Sequence, residues 1–167
     1  MNLEEAIKTA IQYETRVRDA YLDSMDNIAD ETGRRVFEVL GNEEQLHIDH
    51  LASLLAGWKQ SGKVSPAKLK SVVPARETIE KGVKKLGEHL STRDYGTERE
   101  MLKKALAMEQ ETAGFYRRMI RELKEEGELF ARFLEIEEGH LAIVQAELDY
   151  FNRTGNFFDF QEFNLEH

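Results

Sequence analysis

The run VFEVLGNEEQLHIDHL, residues 36 to 51, sets the tightest constraint on what this chain can fold into. Phe37, Leu40, Leu51, Leu54 and, further on, Trp58 fall on one stripe of a helix. Glu44 and His47 fall on the same stripe, at its centre. An ionised carboxylate in an apolar interior is very costly unless it is paired. Any fold that buries this seam must therefore bring a compensating group to Glu44.

Three further seams of the same kind run through the chain. The first covers residues 2–29, with Leu3, Ile7, Ala10, Glu14, Val17, Tyr21, Ser24 and Ile28 at alternating four and three spacings. The seam around Glu44 covers 32–60. A third covers 96–124, with Leu102, Leu106, Glu109, Ala113, Tyr116, Ile120 and Leu123. The fourth covers 127–153, with Phe130, Phe133, Glu137, His140, Val144 and Phe151; Glu147 interrupts it, and Leu148 is expected to take the inward place. Abundant Ala, Leu, Glu and Lys with only two prolines suit long helices.

The connections differ in kind. Asp30 to Gly33 and Lys124 to Gly127 read as short turns, which makes antiparallel hairpins of 2–60 and 96–153. Residues 61–95 hold both prolines, Pro66 and Pro74, and a modest helical pattern over 75–88. A helix of the length read here spans about 40 Å. A connection as long as 61–95 can return along it and leave the second and third helices parallel. The expected fold is all-α: one domain over 1–167, a four-helix bundle of two antiparallel hairpins joined by a long crossover with a short helix. The aromatic tail, 154–167, carries four phenylalanines in NFFDFQEFNLEH and reads as a flap on the bundle end or a dimer contact.

The two hairpins repeat one another. AIQYETRVRDAY (10–21) parallels ALAMEQETAGFY (105–116), and FEVLGNEEQLHI (37–48) parallels FARFLEIEEGHL (130–141), at offsets of 95 and 93 residues. Each half thus has one seam glutamate, then a glutamate and a histidine three apart. Residues i and i+3 share a helix face, so Glu44/His47 and Glu137/His140 each point inward as a pair. The midpoint of 14 and 44 is 29, and that of 109 and 137 is 123, at or beside the expected turns. Glu14, Glu44, Glu109 and Glu137 can therefore meet in one layer with the two histidines.

Four carboxylates at contact would force several of them to take up protons, and no lysine or arginine occupies a seam position in this layer. Two divalent cations would neutralise the four charges. Carboxylate oxygen with one imidazole nitrogen per ion suits iron, with manganese as the alternative. One Glu-x-x-His occurs readily by chance; the signal is the pair of copies, each facing a seam glutamate. A buried polar network is the competing reading. Tyr21 and Tyr116, each seven residues beyond a seam glutamate, can hydrogen-bond a ligand carboxylate or be ordinary buried tyrosines.

The residues YETRVRDAY, EEQLHIDHL, MEQETAGFY and EIEEGHLAIV resemble the ferritin-like superfamily, and most of all its rubrerythrin-like di-iron branch. The resemblance covers both hairpins. It implies a metal-binding site in which Glu44 and Glu137 bridge two irons, Glu14 and Glu109 are terminal ligands, and His47 and His140 each cap one ion. It implies an oxidoreductase acting on peroxide or dioxygen, or alternatively a ferroxidase that handles iron. A non-enzymatic metal-binding bundle is the third reading. Positions three either side of Glu109 are Leu106 and Thr112, so the set stays at four glutamates and two histidines.

The chain has no cysteine. Disulfides, Cys-ligated zinc and thiol nucleophiles are excluded within it. So is a rubredoxin-type iron, and a separate electron-donor protein is expected. The opening MNLEEAIKTA shows no signal pattern and no apolar run approaches a membrane span, so a cytoplasmic address is expected. A formal net charge of −9 argues against nucleic acid and anionic membranes. The crossover and tail favour a homodimer over a storage shell. Asp49, His50, Glu43 and Glu138 read as solvated, and His89 and His167 carry no assigned role.

Overall fold

A computed structural model describes residues 1–64, 69–85 and 96–161. The architecture is helical, with no strand among the described residues. Four long helices, α1 (Leu3–Ser24), α2 (Glu31–Ser61), α4 (Gly96–Leu123) and α5 (Ala131–Thr154), accompany a short α3 (Arg76–Lys85). Helix α1 packs along α2, α4 along α5, α1 against α4, and α3 against α5. No described helix is long and apolar enough to cross a membrane.

Local chemistry fixes the ends. Asn2 caps α1 in a reciprocal box with Glu5, and Asp30 caps α2 by accepting from the amides of Thr32 and Gly33. Helices α2 and α5 stop on Gly62 (φ 67°) and Gly155 (φ 71°), whose left-handed backbone costs glycine nothing. Two boundaries differ from the periodicity. Helix α1 ends at Ser24 because a 3-10 turn, Met25–Asn27, closes on Ile28, whose amide donates to the Met25 carbonyl. Helix α5 begins at Ala131 because Lys124–Phe130 forms a 3-10 segment, entered through Lys124 at φ 53°. Apolar spacing runs through both segments, so it overstates the α-helix.

The core divides in two. One cluster holds Val17, Tyr21, Phe37, Leu40, Leu102, Ile143 and Val144; the other holds Ile7, Ala10, Leu51, Tyr116, Phe130 and Phe133. Helices α1 and α5 pass from the second cluster to the first, while α2 and α4 pass from the first to the second. Each long helix crosses between the clusters at its seam glutamate. The acidic layer therefore sits mid-rod, sealed at both ends by apolar packing.

The described part of the tail folds back over the bundle. Phe157, Phe158 and Phe160 are buried, and the Phe157 ring lies 6.2 Å from Phe37 and 5.1 Å from Phe151. Phe163 lies outside the described residues. This cover changes the reading of Glu147: it and Leu148 are both buried, because the tail closes over the outer side of the helix. One Glu147 oxygen accepts from the Phe158 amide at 3.1 Å, and the other has no partner among the described residues.

Burial, and secondarily the charges of Asp30 and Asp159, hold the Glu147 carboxyl well above the usual carboxylate range. A raised acid stabilises the fold below its unfolded value near 4.5 and loses that contribution as pH rises. Glu147→Gln needs no proton to stay neutral. The stability of E147Q relative to the parent should climb between pH 5 and 8 by up to about 1.4 kcal/mol per pH unit. Urea unfolding at several pH values checks this; a constant difference would mean that Glu147 stays ionised.

Candidate metal centre

Glu14 on α1, Glu44 and His47 on α2, Glu109 on α4, and Glu137 and His140 on α5 are brought into one layer, each no more than 1% exposed. Two groups of donor atoms form, each within 4.8 Å: Glu14, Glu44, His47 and Glu137, and Glu44, Glu109, Glu137 and His140. Glu44 and Glu137 belong to both. His47 Nδ1 lies 3.3 Å from Glu14, 3.4 Å from Glu44 and 3.3 Å from Glu137. His140 Nδ1 lies 2.7 Å from Glu44, 3.4 Å from Glu109 and 3.9 Å from Glu137. The two imidazole planes lie 7° from parallel, with centroids 5.7 Å apart.

The tyrosines cross between the hairpins. Tyr21 donates to Glu109 at 2.6 Å and Tyr116 donates to Glu14 at 2.5 Å. Each reaches the glutamate of the other repeat and not the one seven residues before it. Spacing placed both tyrosines near the layer, but the exchange depends on how α1 packs on α4.

Opposing effects set the protonation of the layer. Burial raises the Glu14 carboxyl, but the charge of His47 and the close approach of Glu44, His47 and Tyr116 outweigh it and bring it down to about 2. Glu109 is also lowered: burial is outweighed by the close approach of Glu137, His140 and Tyr21 and by the charge of His140. Glu44 and Glu137 go the other way, raised well above the carboxylate range by burial and by neighbouring carboxylates. His47 and His140 are lowered by burial and raised more strongly by the carboxylates around them, to a net position well above ordinary histidine. Without metal the layer is thus pushed toward ionised Glu14 and Glu109, neutral Glu44 and Glu137, and protonated His47 and His140.

The donor chemistry also fits cations. Oε2 of Glu14, Glu44 and Glu109 and both oxygens of Glu137 are buried without a hydrogen-bond partner among the described residues. Unpaired acceptors at that depth are expensive in a native core. Two divalent ions would satisfy them and take the place of protons held by these groups.

Glu43 corrects the sequence reading. It is 2% exposed, accepts from Ser71 and from the Val72 amide at 3.4 Å, and lies 3.3 Å from His140 Nε2. The missed signal was its spacing: three after Leu40 and four before His47, Glu43 lies about 40° around the helix from His47. His50 is half-buried, its ring 5.9 Å from Phe133, and belongs to neither donor group. Asp49 accepts from Gln45, and Glu138 pairs with Arg117 at 3.5 Å. His89 and His167 lie outside the described residues.

Fold and site define a helical protein with a buried carboxylate–histidine cluster able to hold metal ions. No family model, no curated protein and no solved structure matches the chain.

Proposed function

We propose that this chain is a rubrerythrin-like di-iron oxidoreductase of ferritin-like connectivity, which reduces peroxide or dioxygen with electrons from a separate donor protein. The observation that carries the reading is the pair of four-residue donor groups sharing Glu44 and Glu137. The order in which the helices traverse the two core clusters supports the connectivity, since it has α2 and α4 running the same way.

Glu44 and Glu137 would hold two ions side by side, with Glu14 and His47 completing one position and Glu109 and His140 the other. Iron suits this oxygen-rich set, and manganese would also fit. When bound, the two ions supply one electron each toward cleavage of an O–O bond. The chain's part is positional. Tyr21 and Tyr116 fix the terminal carboxylates by donating to them, and the flanking apolar clusters keep bulk water out. Peroxide takes up two electrons and two protons to give two waters, and the external donor restores both electrons.

Anaerobic ferrous-loaded protein, mixed separately with peroxide and with air, tests this. The expected result is one peroxide consumed for two ferrous ions, with ferric absorbance that recycles only when reductant is added. Oxidation no faster than that of free ferrous ion would sink the reading. Ferric mineral growing beyond two ions per chain would point to iron storage instead.

A further inference from the structure

We propose that Glu43 is a positioning residue that fixes His140, and not His47, for metal binding, so that the two ion positions are unequal in strength. The inference rests on the two-ion reading above and adds an asymmetry which the repeat does not predict.

His140 turns Nδ1 toward Glu44 and Glu109 and Nε2 toward Glu43. A neutral imidazole has one proton. Use of Nδ1 as a ligand leaves that proton on Nε2, aimed at the Glu43 carboxylate 3.3 Å away. A carboxylate behind a ligating histidine fixes its tautomer and ring orientation and strengthens it as a donor.

Glu43 is itself held from outside, by the Ser71 hydroxyl and the Val72 amide. That segment of the crossover is seated on α5. Arg132 donates to the Leu69 carbonyl at 3.0 Å, Val73 and Pro74 are buried, and a Cβ at Gly139 would lie only 3.1 Å from the Pro74 carbonyl. The absence of a side chain at Gly139, next to His140, lets the crossover approach this closely.

Among the described residues the other half has no counterpart of this arrangement. The repeat offset of 93 that relates Glu44 to Glu137 puts Ile136 where Glu43 stands. His47 Nε2 has no partner among the described residues, and the ring lies edge-on to Phe133 at 5.7 Å. Three inward residues recur in each half, six in all, while among the described residues the carboxylate behind the histidine is found in one half. An ion at the Glu109–His140 position should therefore bind first and more tightly.

Anaerobic calorimetric titration of the full chain with Mn(II) should show two steps separated by roughly 10–100-fold. In Glu43→Gln the tight step should weaken by about the same factor while the weak step holds. Ser71→Ala, which removes only the outer clamp, should weaken the tight step less. Independently of any variant, nitrogen NMR of Zn(II)-loaded wild-type protein should show His140 ligating through Nδ1 with its Nε2 protonated and hydrogen-bonded, and no such bond at His47. Equal steps in the wild type, or equal weakening of both steps in E43Q, would overturn the inference and leave the two-ion reading intact. A wild-type chain that takes up fewer than two ions would overturn both.

Discussion

Glu137→Gln should abolish paired ion binding while leaving the metal-free protein at least as stable as the parent at pH 8. The two effects have one cause. Glu137 is completely buried, belongs to both donor groups, and is pushed toward its neutral form by burial and by Glu109, Glu14 and Glu44. Glutamine reproduces the shape of that neutral form without needing a proton. It cannot supply the negative charge or the two anionic oxygens that would join a pair of cations. Loss of a residue that merely orients a ligand weakens metal binding about 10–100-fold, so loss of a shared ligand should exceed ~100-fold. Glu44→Gln should behave alike. In the parent, each ion present at a hundred times its dissociation constant adds about 2.7 kcal/mol. In a domain of this size that raises Tm by roughly 5–10 °C. In E137Q, added Mn(II) should move Tm by little. Calorimetry and thermal unfolding with and without Mn(II) read both effects. Two ions bound at parental affinity would show that Glu137 does not join them. A variant destabilised without metal would point instead to a polar network that needs the ionised side chain.

The same contrast explains which parts of the molecule could be read from its sequence. Glu14, Glu44, His47, Glu109, Glu137 and His140 were legible because a long helix converts spacing into direction, and the repeated hairpin converts distance from a turn into level. That logic stops where a side chain is buried by something distant in the chain. Glu43 is covered by Ser71 and Val72 from the crossover, and Glu147 by Phe158 from the tail. Both positions lie on or beside an apolar stripe, yet spacing alone could not reveal the group that covers them. The crossed bonds from Tyr21 to Glu109 and Tyr116 to Glu14 were likewise out of reach, because they depend on the packing of one hairpin on the other. Helix ends were blurred for a local reason: Met25–Asn27 and Lys124–Phe130 keep apolar residues in register while changing the hydrogen-bond pattern.

Metal-free protein should lose stability as pH rises from 5 to 8 more steeply than metal-loaded protein does. Four groups set the sign. Glu44, Glu137, His47 and His140 all have folded-state values raised well above their unfolded ones. A raised group stabilises the fold fully below its unfolded value and loses that contribution as pH climbs toward the folded one. Between pH 4.5 and 6.5 the two glutamates of the layer, with Glu147 outside it, set the slope, since both histidines are protonated in folded and unfolded chains. Above 6.5 the histidines join, and the decline steepens. Each proton taken up on folding contributes about 1.4 kcal/mol per pH unit. Glu14, lowered to about 2, acts with opposite sign, but its contribution is lost only as pH falls below 4.5. Divalent ions take the place of protons on these groups, so the loaded protein should lose the layer's downward slope and keep the separate one due to Glu147, which E147Q removes. Loading two ions should correspondingly release protons, readable as a buffer-dependent heat. Apparent affinity should then rise with pH, while metal removal destabilises more at pH 8 than at pH 5. A metal-free chain whose Tm is flat across this range would mean that the carboxylates already share the interior without borrowed protons, and the electrostatic case for paired cations would fail with it.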